Sequence, residues 1–202
     1  MTRLKKVVVG VVAVGALIGL AIPLSIISRG VSAKDEPTAI EAFLARGLRR
    51  LATPSGLRAA QNPVPRTAEA LASARAHFAD HCASCHGNDG RGQTSMGRNL
   101  YPKSPDMTLS ATQTLSDGEI FGIIENGIRL TGMPAWGNGT PESTKASWEL
   151  VHLVRHFPKI TPDELAEMAA LNPKSRAEFE QEQAIDAFLK GGDAKPPHHA
   201  SH

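Results

Sequence analysis

The chain has 202 residues, 41% of them hydrophobic but only 4% aromatic, and a formal net charge of +2. That length suits one core of about 100–150 residues with extensions at its ends. The near-neutral balance excludes nucleic acid as an expected partner, because such binding needs clustered basic charge. The scarcity of aromatics leaves a lean core that a bound apolar group could complete.

The first element is apolar. Arg3, Lys5 and Lys6 precede residues 7–28, which contain no charged side chain. At roughly 1.5 Å per residue this run makes a helix of about 33 Å, enough to cross a hydrocarbon core of about 30 Å. The positive-inside rule keeps the first residues in the cytoplasm and exports the rest. Residues 1–33 are therefore either a retained membrane anchor or a signal peptide cut near Val31-Ser32-Ala33. The run exceeds the usual signal core of about 7–15 residues, which favours the anchor.

Residues 34–66 read as a linker. In "PTAIEAFLARGLRRLATP" a helix would place Ile40, Phe43, Leu44, Leu48 and Leu51 on one side and Arg46, Arg49 and Arg50 on the other. Such a helix is either solvated or laid on the outer membrane surface. "PSGLRAAQNPVPR" then reads as irregular and proline-bearing. Thr67 caps a predicted helix that carries Leu71, Ala74 and Phe78 at helical spacing and runs into the cysteines. Residues 87–114 show no period and read as a long loop, which needs a reason to be ordered. Ser116 and Glu119 have capping-box spacing and open a helix with Ile120, Phe121, Ile123 and Ile124, ended by Gly127. After the loop "IRLTGMPAWGNG", Thr140-Pro141 starts a third helix bearing Trp148, Val151, Val154 and Phe157 and stopping at Pro158. Residues 159–192 are predicted to add two helices, one opened by "TPDE" and one ending at Gly191-Gly192. The tail, residues 193–202, is expected to be disordered, with metal binding by its histidines as the rival reading. No strand alternation or repeat occurs, so the fold class is all-α.

"CASCHGNDGRG", residues 82–92, holds both cysteines of the chain. A disulfide across two intervening residues closes a small loop and stabilises little. A redox dithiol wants a βαβ context that is absent. A structural zinc site wants four ligands, and no second cysteine pair exists. Covalent haem attachment remains: each thiol adds to one vinyl group, and the following histidine reaches the iron. At a helix end, Cys82 and Cys85 lie on one side and can meet one porphyrin edge, with His86 projecting to the metal. Thioether attachment is made outside the cytoplasm, where the N-terminus sends this region.

The sequence here resembles the class I monohaem cytochromes c, over roughly residues 67–158. The residues that carry the likeness are "FADHCASCHGNDGRG", "LSDGEIFGIIENGIR", "TGMPAWG" and a last helix with Trp148, in that order. The family implies three core helices around one covalently attached haem c, with the first and last helices crossing and the 87–114 loop packed on the porphyrin. Membrane anchoring and a C-terminal helical extension would be additions to that fold.

Iron needs a partner opposite His86. Met133 is the candidate: it lies in a loop between helices, Pro134 stiffens the backbone after it, and it falls where the family motif places its ligand. A thioether ligand would raise the potential. Met133 as a packing residue is the alternative. Met107, in "SPDMTLS", is expected to line the haem pocket, Met96 to lie too near the attachment site, and Met168 to be core. His152 and His156 are expected at the surface or an edge, and His81 is too close to Cys82 to reach an axial position. Trp136 either donates its indole N–H to a propionate or fills the core. Arg98, Asn99 and Tyr101 fall where the family's loop approaches the propionates. Ile120, Ile124 and Leu115 are expected to line the apolar pocket.

With both axial positions filled, substrate has no open site on the iron, which points to an electron carrier and away from an enzyme. The expectation is a single-pass protein of the bacterial cytoplasmic membrane with its haem domain on the periplasmic side. It would take electrons from a quinol-oxidising complex or a dehydrogenase and give them to a terminal oxidase or another cytochrome. A permanently docked cytochrome subunit of a larger redox complex is the alternative. A haem sensor is a third reading, which Met133 disfavours.

Overall fold

A computed structural model describes residues 2–30, 32–174 and 176–189. Among them every regular element is helical and none is a strand. Helix α1, Arg3–Arg29, is apolar all round. Its Arg3–Ser25 segment has a mean hydropathy of 2.7 and is long and apolar enough to cross a membrane.

Helix α2, Ala39–Ala52, starts at Thr38, whose side chain accepts from the Glu41 amide. None of its residues is buried. The segment expected to be irregular instead holds a short helix, α3, Ser55–Arg58. Its cause is tertiary: Leu57 packs over Gly118 and Gly122, where the absence of side chains leaves a slot. The rest of the linker is strapped to the domain. Asn62 Nδ2 donates to the Trp148 carbonyl at 2.9 Å, and His152 Nε2 donates to the Val64 carbonyl at 2.7 Å.

The core lies where α4, Ala68–His81, crosses α8, Pro141–His156. Small residues on α4, with Ala74 fully buried, let α8 approach closely. Across the contact, Phe78 meets Phe157 edge-on at 5.0 Å. Helix α7, Asp117–Asn126, completes the trio; its capping box joins Ser116 and Glu119 as the spacing predicts. Phe121 of α7 stacks on Trp148 at 4.1 Å, a contact that adds to area burial. Arg155 of α8 donates to Asp117 Oδ1 at 2.8 Å and to the Gln113 carbonyl at 2.8 Å, pinning the start of α7.

Two short helices, α5 (Ala83–His86) and α6 (Ser110–Gln113), flank the long loop. After α8, helix α9, Pro162–Leu171, carries a second capping box, Thr161 with Glu164. Its Met168 is fully buried in the core cluster, and Arg75 of α4 pairs with Glu164 at 3.2 Å and Glu167 at 3.0 Å. Helix α10 spans Arg176–Leu189. The expected stop at Gly191-Gly192 and the tail 193–202 lie outside the described residues.

Candidate functional site

The cysteine pair sits on a continuous turn. Cys82 ends α4, its amide donating to the Phe78 carbonyl at 2.8 Å. The His86 amide donates back to the Cys82 carbonyl at 3.0 Å, so residues 82–86 form one further helical turn. The loop behind is laced onto this turn. The Gly92 amide reaches the His86 carbonyl at 2.7 Å, the Thr94 hydroxyl reaches the Cys85 carbonyl at 3.1 Å, and Met107 N bonds Gly90 O at 2.8 Å. Gly97 lies so close that a Cβ there would fall 2.2 Å from the Cys85 carbonyl oxygen. Gly92, whose Cβ would fall 2.4 Å from the Ser104 carbonyl oxygen, and Gly97 therefore serve close backbone approach, which any Cβ would block.

A second loop descends from α7. Gly127 ends the helix at φ 63°, and its missing side chain admits the backbone of residues 133–135. The Ile128 amide donates to the Met133 carbonyl at 3.1 Å, and the Met133 amide to the Thr131 hydroxyl at 3.1 Å. Trp136 N and Gly137 N return to the carbonyls of Ile124 and Glu125 at 3.0 and 3.1 Å. Met133 is thus held on a short ladder against the end of α7.

Between the two loops is a cavity of about 330 Å³. Cys82, Cys85 and His86 line it, with Met133, Pro134 and Trp136 of the α7 loop and Leu100, Pro102 and Pro105 of the 87–107 loop. Its volume lies within the range of small-molecule and cofactor sites. Burial pushes the His86 imidazole down to about 4, so the ring is neutral at physiological pH. Its Nδ1 is buried with no hydrogen-bond partner, a costly state for a polar atom. The Cys82 thiol is pushed up to about 12, first by burial and then by neighbouring Cys85. It is a protonated sulfur, unlike the low-pKa thiolates of redox Cys-X-X-Cys sites. Neither cysteine is in a disulfide. Among the described residues no three His, Cys, Asp or Glu side chains converge as a metal site would require.

Of the residues singled out from sequence, Cys82, Cys85, His86, Met133 and Trp136 meet at the cavity. Trp136 stacks on His81 at 5.5 Å. Seven others expected near the haem, Arg98, Asn99, Tyr101, Met107, Leu115, Ile120 and Ile124, do not line it. Arg98 turns back to donate to the Gln93 carbonyl at 2.7 Å. Tyr101 points away and donates to Glu41 Oε1 of α2 at 2.6 Å, although its neighbours Leu100 and Pro102 face the cavity. Met107 is buried in the helical core cluster, together with Ile120 and Ile124, and Leu115 packs against that cluster. Met96 is exposed and Met168 is core. His156 contacts Glu164 at 3.0 Å, and His152 is spent on Val64. Leu100, Pro102, Pro105, Ile128 and Thr131 of the wall were not anticipated. The only signal for them was the proline content of "LYPKSP" and the nearness of Ile128 and Thr131 to Met133.

Compared with known proteins, residues 69–154 match the family model described as cytochrome C oxidase, cbb3-type, subunit III. No curated protein matches the chain.

Proposed function

We propose that the chain, whose residues 69–154 match a c-type cytochrome family, is a membrane-tethered carrier of single electrons with one haem c. A domain of that family implies an electron-transfer haem protein. Residues 67–158 would be the haem domain, with 1–33 as anchor, 34–66 as linker and 159–192 as an extension.

The observation that carries the reading is the meeting of Cys82, Cys85, His86 and Met133 at one cavity. The donor set suits haem c. Two free thiols a turn apart are placed to add across two vinyl groups. A neutral imidazole whose Nδ1 is buried without a partner is the form in which histidine binds a metal. Haem c held there would supply a one-electron couple. His86 and Met133 would both hold the iron, leaving no place for substrate, and the thioether would favour the reduced state. Leu100, Pro102 and Pro105 make part of the wall apolar, and an apolar shell tunes such a centre through its dielectric. Trp136 remains the candidate donor to a propionate.

In this reading α1 anchors the chain in a bacterial cytoplasmic membrane, and the haem domain stands on the periplasmic side. A quinol-oxidising complex or dehydrogenase is the donor, and a terminal oxidase or another cytochrome the acceptor. Tethering raises the effective concentration of partners, so a near-neutral surface suffices. The match to an oxidase-subunit family favours a second reading, a docked subunit of an oxidase complex. Purification from native membranes separates the two, since only a subunit retains a stoichiometric partner. The axial assignment is tested by the near-infrared methionine–iron band of the oxidised protein. Met133→Ala should abolish it, and its persistence would refute the ligand.

A further inference from the structure

Helix α2 is turned inside out for a helix of a water-soluble domain. Ile40, Phe43, Leu44, Leu48 and Leu51 recur at helical spacing on one side, and every one is between 55% and 82% exposed. The half-buried positions, Ala42 and Arg49, are seven apart on the opposite side. The apolar stripe therefore faces away from the chain, and nothing among the described residues covers it. Helical spacing puts Arg46 and Arg50 along one edge of that stripe, beside Phe43, with both side chains exposed.

We propose that α2 lies in the surface of the membrane that α1 crosses, its apolar side in the acyl boundary and its arginines at anionic headgroups. Three observations favour lipid over a protein occupant. The stripe is amphipathic with basic residues at its edge, the pattern of interfacial helices. Residues 30–38 alone separate α1 from α2, at most about 30 Å of extended chain, so α2 stays near the bilayer. The helix is also fixed to the cavity rim: Tyr101 donates to Glu41, and Lys103 pairs with Glu36 just before the helix. Both bonds lie in the loop whose Leu100, Pro102 and Lys103 wall the cavity. A helix seated on lipid would thereby set which edge of the cavity faces the membrane and which faces partners. The inference rests on α1 spanning the bilayer, and it does not require the haem assignment.

The test uses the full chain in vesicles of phosphatidylcholine and phosphatidylglycerol that carry a diazirine on the acyl chain. After illumination, tagged residues are mapped by mass spectrometry. Tags are expected on α1 and also on α2, at the Ile40, Phe43, Leu44, Leu48 and Leu51 side. Arg46→Glu with Arg50→Glu should lower α2 tagging several-fold and leave α1 tagging unchanged. Tagged α1 with untagged α2 would overturn the proposal. So would α2 crosslinked to a second copy or a co-purifying protein in place of lipid. Untagged α1 would overturn the spanning helix, and the haem content, read from the same mass, reports separately on the cytochrome reading.

Discussion

Gly127→Ala isolates the device that holds Met133 in place. Gly127 has φ 63° and ψ −167°, a region that is essentially glycine-only and costs another residue about 1–3 kcal/mol. A Cβ there would also lie 2.6 Å from Pro134 C, 2.7 Å from Ala135 N and 2.7 Å from Met133 O. These are backbone atoms, so relief requires the 133–135 segment to move. That movement breaks the Ile128–Met133 hydrogen bond, worth about 1 kcal/mol. The sum is about 2–4 kcal/mol, which for a domain of this size lowers the melting temperature by roughly 10–20 °C. Thermal unfolding followed by circular dichroism reads the stability, and the methionine–iron band reads the loop. Gly139→Ala is the control: Gly139 has φ 80° with nothing near its Cβ position, so only strain of about 1–2 kcal/mol is expected and the band should persist. If Gly127→Ala melts with the parent protein and keeps its band, the reasoning about the Met133 ladder is wrong.

Met168→Ala should cost about 2–5 kcal/mol, the range for truncating a fully buried side chain. A denaturant midpoint shift at unchanged m-value checks it, and a change under about 0.5 kcal/mol would mean that α9 is not part of the core. The third prediction concerns acid. Burial works to raise the Glu164 carboxyl, but hydrogen bonds from the Thr161 amide, His156 and the Thr161 hydroxyl outweigh it and hold the group below its usual range. A depressed carboxylate stabilises fully above its unfolded value, about 4.3, and loses that contribution as pH falls through the folded value. Hydrogen exchange should therefore show α9 opening below about pH 4 before α4 and α8 do. Glu164→Gln should remove most of that difference, and identical acid profiles for the variant and the parent would contradict it.

What the sequence disclosed was local. Thr67, Ser116 with Glu119, Thr140-Pro141 and Thr161 announce helix starts because a cap is written within four residues of the helix it opens. That Cys82, Cys85 and His86 share one side was legible because they lie within one helical turn. What stayed hidden was tertiary. Nothing local in "SGLR" predicts α3, which exists because Leu57 finds the glycine slot of a helix some sixty residues away. Arg98, Tyr101 and Met107 sit in a loop without period, so no pattern announced which partners would set their directions. Tyr101 was claimed by Glu41, Arg98 by Gln93 and Met107 by the core cluster. The amphipathic pattern of α2 was visible from the start, but the inward turn of its polar side became apparent only in the folded chain.

The central claim is that the two thiols of residues 82–86 hold a porphyrin. Intact mass spectrometry of the full chain, produced with the machinery that attaches haem, tests it most directly. The account predicts the polypeptide mass plus one haem, reduced to the bare polypeptide when Cys82 and Cys85 are both replaced by alanine. A bare mass for the unaltered chain under those conditions would contradict it.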